Sequence, residues 1–271
     1  MDGIQIKIKK FSRIASTQEY AEKMKKFGEN LIVTATRQSG GRGTKGRSFS
    51  SEKGGVYLSS LLYYPNFPVE KSFLIMAGTC AAVCKTVEAG GLQPKIKWPN
   101  DVFVNGRKIC GILTENTFSA PAASAEDKAE ESGEAIAETL RAEQNRKDIC
   151  SVCGIGVNVE NELPQELENI ATSVALETGK KQNVKKWRAR LIENLMQNYD
   201  DLRAGNDSVY KRIFEDYLAR FGFVGENMVL VTESGSFIAR ILGADECGRL
   251  RVLVGGEEKR FSAAEIVKMR T

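Results

Sequence analysis

Gly40-Gly41-Arg42-Gly43-Thr44-Lys45-Gly46-Arg47 comes shortly after the strand-like run Leu31-Ile32-Val33-Thr34-Ala35-Thr36. Glycine lets backbone N–H groups turn toward a ligand, and arginine and lysine add fixed positive charge. The stretch therefore suits a loop that folds over an anion, a phosphate or a carboxylate, although a basic surface loop without a ligand has the same composition. Gly41, Gly43 and Gly46 spell G-x-G-x-x-G, and Gly41 to Ser48 lacks only the lysine of a Walker A loop, because Arg47 stands in its place. Both motifs require a helix straight after the glycines. Here the glycines lead instead into Ser48 to Gly55, then Val56-Tyr57-Leu58-Ser59-Ser60-Leu61-Leu62-Tyr63-Tyr64, which reads as a strand. Dinucleotide and P-loop folds are disfavoured on that ground.

The second informative segment is Lys97-Trp98-Pro99-Asn100-Asp101, continuing through Val102-Phe103-Val104, Asn105-Gly106 and Lys108-Ile109-Cys110-Gly111-Ile112-Leu113-Thr114-Glu115. Asn-Gly between apolar runs predicts a hairpin that presents Asp101 and Lys108 from its two strands. Lysines in apolar strands usually snorkel to water, yet Lys97 and Lys108 flank a carboxylate and suggest a polyanion site. Trp98 is expected in the core.

Taken together, Gly41-Arg42-Gly43 with Gly46-Arg47, Lys97 to Asp101, and Lys108 to Glu115 closely resemble the biotin protein ligase family. Ser16-Thr17-Gln18 and Gly154-Ile155-Gly156-Val157-Asn158 fit it in the same order. The resemblance runs from about Ile14 to the C-terminus. One departure lies inside the glycine loop, where Thr44 occupies the place of a second arginine found in many members.

The resemblance implies an α/β (α+β) fold: a mixed β-sheet with helices, like the catalytic domain of class II aminoacyl-tRNA synthetases, over residues 1–222. A small SH3-like β barrel is implied over 223–271. It further implies ATP and biotin as substrates, Mg²⁺, and a biotin carboxyl carrier domain of a carboxylase as acceptor. Arg42, Lys108 and Asp101 would be catalytic. Ser16, Thr17, Gln38, Gly41, Arg42, Gly43, Thr44, Lys108, Gly111 and Gly154 would hold biotin. Arg47, Lys97, Asn100, Asp101 and Asn158 would hold ATP. Asp101 is open to two roles, as a Mg²⁺ ligand or as the base for the acceptor lysine. Lipoate ligases share the fold and the adenylate chemistry. A binding protein on a ligase scaffold is the alternative from another class, against which intact Arg42, Lys97, Asp101 and Lys108 argue.

Composition bounds the chemistry independently. The 271 residues, 42% hydrophobic, suffice for one large domain and a small one. The chain contains no histidine, which excludes Ser-His-Asp, Cys-His and His-metal sites and leaves carboxylates, cations and backbone dipoles. A net charge of +4 does not by itself indicate nucleic-acid binding. No apolar run reaches the ~18 residues of a membrane span, and no signal-peptide core is evident, so a cytoplasmic protein without membrane contact is expected. Only about a dozen residues precede the catalytic region, so the N-terminal DNA-binding domain of bifunctional family members is expected to be absent, and with it nucleic-acid binding. The family also admits a homodimer. The six cysteines include Cys150-x-x-Cys153, but no second such pair exists, and all six are expected as buried thiols rather than zinc ligands.

Along the chain, Ile4 to Ile8 alternates like a strand. Ser16-Thr17-Gln18-Glu19 is a capping box for a helix to about Phe27, with Gly28 as its stop. A long helix is expected from about Val69 to Ala89, apolar on one face. Residues 117–148, rich in Ala and Glu, read as an insertion. Ile149 to Val159 reads as a buried strand whose two glycines mark close backbone approach by a ligand or by another element. Helices are expected over about 184–203 and 208–220, then short strands from Asn227 to Lys268.

Overall fold

The computed structural model describes residues 6–119 and 146–270. Seven strands form the main sheet in the order β1-β2-β3-β7-β6-β5-β4. They are β1 Lys7–Phe11, β2 Leu31–Ala35, β3 Val56–Pro68, β4 Lys95–Lys97, β5 Asp101–Val104, β6 Arg107–Ser119 and β7 Arg146–Val157. β1 and β2 pair in parallel; the other neighbours are antiparallel. Of the strand expected over Ile4–Ile8, Lys7 and Ile8 lie in β1, which runs on to Phe11, while Ile4 and Gln5 lie outside the described residues. Alternation marks a strand, but pairing with Leu31–Ala35 sets its ends.

Successive strand residues point to opposite faces, and the two faces are covered differently. On one face, Leu62, Ile149 and Cys153 meet α2 Phe73–Glu88, α4 Val184–Arg203 and α5 Asp207–Leu218. The long helix starts at Phe73, because Val69–Lys71 forms a separate tight turn after Pro68. α2 is buried on most sides, from Leu74 and Ile75 to Val87, not on a single stripe. On the opposite face, Leu61, Val152, Leu31 and Val33 pack on Ala21 of α1, Thr17–Met24. Ser16 caps α1 and Gly28 ends the following turn with φ 65, as the capping box predicts. The rest of that face is open and holds a cleft. A short helix, α3 Val174–Thr178, lies between β7 and α4.

The ladder between β6 and β7 continues through Thr117↔Cys150, Phe118↔Ile149 and Ser119↔Asp148. Both ends of the stretch read as an insertion therefore carry strand residues; its middle, 120–145, lies outside the described residues.

A separate five-stranded antiparallel sheet completes the chain: β8 Asn227–Thr232, β9 Gly235–Ala244, β10 Leu250–Val254, β11 Glu257–Phe261 and β12 Lys268–Arg270, in the order β11-β10-β9-β8-β12. Met228, Leu230, Ile241, Leu250 and Val252 form its apolar side and merge with the main core. Trp98, 6% exposed, joins the two sheets: its indole N–H donates to the Gly248 carbonyl at 2.9 Å. The six cysteines are free thiols; Cys247 is exposed in the turn before β10 and Cys150 is half-buried, both contrary to the expectation of burial. Among the described residues, no helix is long and apolar enough to cross a membrane.

Candidate active site

The floor of the cleft is the open face of β3, β7 and β6. Ser59 pairs with Gly154, which pairs with Leu113; Tyr57 pairs with Gly156, which pairs with Gly111. Three glycines side by side sink the surface. Their missing side chains are replaced by close contacts: a Cβ on Gly154 would lie 2.5 Å from Gln18 Oε1, one on Gly156 2.4 Å from the Phe49 ring, and one on Gly111 3.0 Å from Lys108 Nζ.

The start of α1 forms one wall. Backbone N–H and hydroxyl of Thr17 both donate to Gln38 Oε1, at 2.8 and 3.0 Å. Ser59 Oγ donates to Thr17 Oγ1 at 2.9 Å. Gln38 Nε2 donates to Ser51 Oγ at 2.8 Å, which donates to the Phe49 carbonyl at 3.0 Å. The Thr17 N–H can only donate, so it fixes the Gln38 amide and the direction of the chain of hydroxyls.

The glycine loop folds back as a narrow hairpin. Phe49 N–H donates to the Gly41 carbonyl at 2.9 Å and Gly43 N–H to the Arg47 carbonyl at 2.7 Å. Only glycine fits at position 41, where a Cβ would meet the Phe49 carbonyl at 2.3 Å. A tight turn, Thr44–Gly46, forms the tip, with Lys45 at φ 57. No helix comes after it, consistent with rejection of the P-loop reading. Arg47 turns back onto Thr44 Oγ1 at 3.0 Å, and Lys45 Nζ donates to the Ile266 carbonyl ahead of β12.

The hairpin β5–β6 supplies the charged pair. The register passes from Val102↔Cys110 to Phe103↔Lys108, so Ile109 is the extra residue of a β-bulge. In a regular ladder Lys108 would oppose Val104 and face the helices. The bulge turns it to the face of Asp101 and Gly111. Lys108 Nζ then lies 2.6 Å from Asp101 Oδ1, each side chain about one-third exposed.

The cleft brings together Ser16, Thr17, Gln38, Arg42, Gly43, Thr44, Asn100, Asp101, Lys108, Gly111 and Gly154. Gly41, Arg47, Lys97 and Asn158 are not among its lining residues. Asn100 donates to the Ile112 carbonyl, so its side chain braces backbone. Lys97 lies over the rings of Phe103 and Phe223, at 5.3 and 5.9 Å, and burial lowers its pKa. Asn158 is buried and accepts from Asn161 Nδ2 at 3.1 Å. The sequence reading missed Gln18, Phe49, Ser59, Ile112, Leu113 and Ile155 as lining residues, and it marked Gly156 as a point of close approach without assigning it to the site. Ser59 carried a signal, a small polar residue inside an apolar strand; Phe49 carried none.

Residues 10–125 match the Biotin/lipoate A/B protein ligase family. The chain is 30% identical over 263 residues to the bifunctional ligase/repressor BirA of Bacillus subtilis, covering 93% of this chain and 71% of that protein. It is 25% identical over 249 residues to the biotin–[acetyl-CoA-carboxylase] ligase of Mycobacterium tuberculosis, covering 89% of this chain and 80% of that one. In fold it is similar to the Aquifex aeolicus biotin protein ligase solved in complex with biotin and ATP, with a TM-score of 0.72 at 24% identity, over 97% and 98% of the two chains. A glycine-floored cleft with a bulge-positioned lysine, and likeness to the Bacillus protein across nearly the whole of this chain, lead to one conclusion: the chain belongs to the biotin protein ligase family.

Proposed function

We propose that the chain is an ATP-dependent, AMP-forming biotin–[acetyl-CoA-carboxylase] ligase and that the cleft is where both half-reactions occur. A biotin carboxylate oxygen attacks the α-phosphorus of ATP, the bond to the pyrophosphate oxygen breaks, and biotinyl-5′-AMP forms. A lysine amine of a carboxylase carrier domain then attacks the acyl carbon, loses a proton, and releases AMP.

The observation that carries this reading is Lys108 held over Gly111, beside Asp101 and on the same cleft as Arg42. The carboxylate nucleophile is already ionised at neutral pH, so the barrier is repulsion between anions and charge growing at phosphorus. Fixed cations at that point address both. Arg42 and Lys108 receive the biotin carboxylate and the α-phosphate, and the glycine floor lets the ligand lie against the sheet. Ser16, Thr17, Gln38, Gly43, Thr44 and Gly154 line the biotin end. Arg47, Lys97 and Asn158, which do not line the cleft, are assigned to the nucleotide with Asn100.

Among the described residues there is no cluster of three or more metal-binding side chains. One carboxylate plus substrate phosphates is nevertheless how Mg²⁺ is commonly held. Asp101, the acid among the lining residues, fits that donor set, and the ion would supply neutralisation of the phosphate charge. Asp101 is also the group available to take the acceptor lysine's proton.

The polar wall favours biotin over lipoate. Buried amides and hydroxyls suit a cyclic urea, whereas a dithiolane leaves them unpaired, at a cost of about 1–3 kcal/mol for each buried group. The test is incubation with ATP, Mg²⁺ and radiolabelled biotin, with and without a carrier domain. Biotinyl-AMP alone and labelled carrier on addition are expected; binding of biotin without pyrophosphate release would reduce the protein to a non-catalytic binder.

A further inference from the structure

Gln18 comes directly after Ser16 and Thr17 but does something neither of them does. It is buried at the cleft, 3% exposed. Its Nε2 lies 2.7 Å from Glu115 Oε2 and 3.3 Å from the Val152 carbonyl. Both the Glu115 carboxylate oxygen and the Val152 carbonyl accept here, so the amide group facing them is the NH₂. The side-chain oxygen is thereby forced the other way, above Gly154, where a Cβ would lie 2.5 Å from it. Its nearest donor is Ser59 Oγ at 3.3 Å, but the single Ser59 proton has the closer acceptor, Thr17 Oγ1 at 2.9 Å. Gln18 Oε1 therefore keeps acceptor capacity toward the floor of the cleft.

Gln38 is fixed with the opposite polarity. Its oxygen is occupied by Thr17, and its NH₂ group has one proton beyond the bond to Ser51. The cleft thus carries two glutamines of set and opposite orientation, a donor and an acceptor. A cyclic urea, with a carbonyl oxygen and ring N–H groups, is the complementary chemistry.

We infer that Gln18 is a specificity-determining residue whose side-chain oxygen accepts a ureido N–H of biotin, and that Glu115 is the positioning residue that holds it in that orientation. This rests on the ligase reading. Glu115 does not line the cleft and acts through the amide alone. Replacing its carboxylate by an amide removes the nearer of the two obligate acceptors, leaves only the Val152 carbonyl at 3.3 Å, and so weakens the hold on the Gln18 orientation.

The test is biotin binding by the full chain, measured by titration calorimetry, against an analogue whose ring N–H is replaced by oxygen, a cyclic carbamate. The wild type is expected to prefer biotin by about 10–100-fold, the effect of leaving one buried acceptor unpaired. Glu115→Gln should shrink that preference and raise KM for biotin, with KM for ATP unchanged. Gln18→Met, which keeps the length and removes the acceptor, should abolish the preference. Equal binding of both ligands by the wild type overturns the inference even if a variant fails to fold. So does an undiminished preference in folded Gln18→Met. Failure of the wild type to bind biotin at all overturns the ligase reading instead, and this assignment with it.

Discussion

Lys108 Nζ lies 2.6 Å from Asp101 Oδ1, across a hairpin whose bulge at Ile109 is what turns Lys108 to the cleft face that Asp101 already occupies. Each partner is about one-third exposed, so the contact adds little stability once solvent screening is allowed for. Its consequence is positional: the ammonium is held over Gly111 before any ligand arrives.

Lys108→Ala should therefore leave the fold intact and stop adenylate formation. Removing one charge-assisted contact to a developing transition-state charge costs about 10²–10³-fold in rate. Pyrophosphate release from biotin and ATP is the measurement, beside a melting curve. A folded variant that releases pyrophosphate at a near-normal rate would take Lys108 out of the mechanism.

Gly154→Ala tests the floor. An added Cβ would sit 2.5 Å from Gln18 Oε1 and 3.5 Å from Ser59 Oγ, in a site that the Glu115 contact keeps from relaxing. The added methyl occupies the space of the ligand, so KM for biotin should rise about 10-fold or more, the scale of a 1.4 kcal/mol loss, while KM for ATP holds. Steady-state kinetics in each substrate separates the two. An unchanged KM for biotin would mean that the ligand does not reach Gly154.

How far the sequence was readable depends on the range of the interaction. Asn105-Gly106 formed the turn it announces, with φ of 49 and 77, and Gly28 ended its helix as a left-handed cap. Those are local preferences. The bulge at Ile109 was not legible, since one extra residue in a strand has the same composition as a regular ladder. Gln18 and Glu115, 97 residues apart, meet only because α1 lies across the sheet. Trp98 was expected in the core, but its bond to Gly248, 150 residues on, was beyond any local pattern. The exposure of Cys247 comes from its place in the turn that makes that bond.

That turn gives the third prediction. Gly248 has φ +80, and a Cβ there would lie 2.1 Å from the Phe73 ring at the start of α2. Gly248→Ala meets both a disfavoured backbone and a rigid aromatic neighbour, and should cost about 2–3 kcal/mol. A fall in Tm of roughly 5–10 °C is expected by calorimetry for a chain of this size. A Tm unchanged within about 2 °C would show that the second sheet docks without this contact.

The last prediction concerns Thr44, where many family members place an arginine. In this chain the Thr44 hydroxyl accepts from Arg47 Nη2 at 3.0 Å and its carbonyl from Arg47 Nε at 3.2 Å. Threonine thus folds one of the loop's cations back onto the loop itself. Lys45 does not replace the missing guanidinium at the cleft, because its ammonium is engaged by the Ile266 carbonyl. The loop tip is tied to the segment before β12 by one flexible point charge, where an arginine fork would add two directed bonds to phosphate or carboxylate. Biotinyl-adenylate should therefore leave the wild-type protein faster than it leaves Thr44→Arg, by about 5–10-fold if the fork adds one net hydrogen bond of ~1 kcal/mol or slightly more. Lys45→Met, which cuts the tie to Ile266, should release it faster still. The measurement is the dissociation rate of pre-formed adenylate from the three proteins under one set of conditions. Equal rates for wild type and Thr44→Arg would mean that backbone contacts such as Phe49 N–H to the Gly41 carbonyl close the loop unaided. A Lys45→Met rate no faster than wild type would show that the contact with Ile266 plays no part in retention.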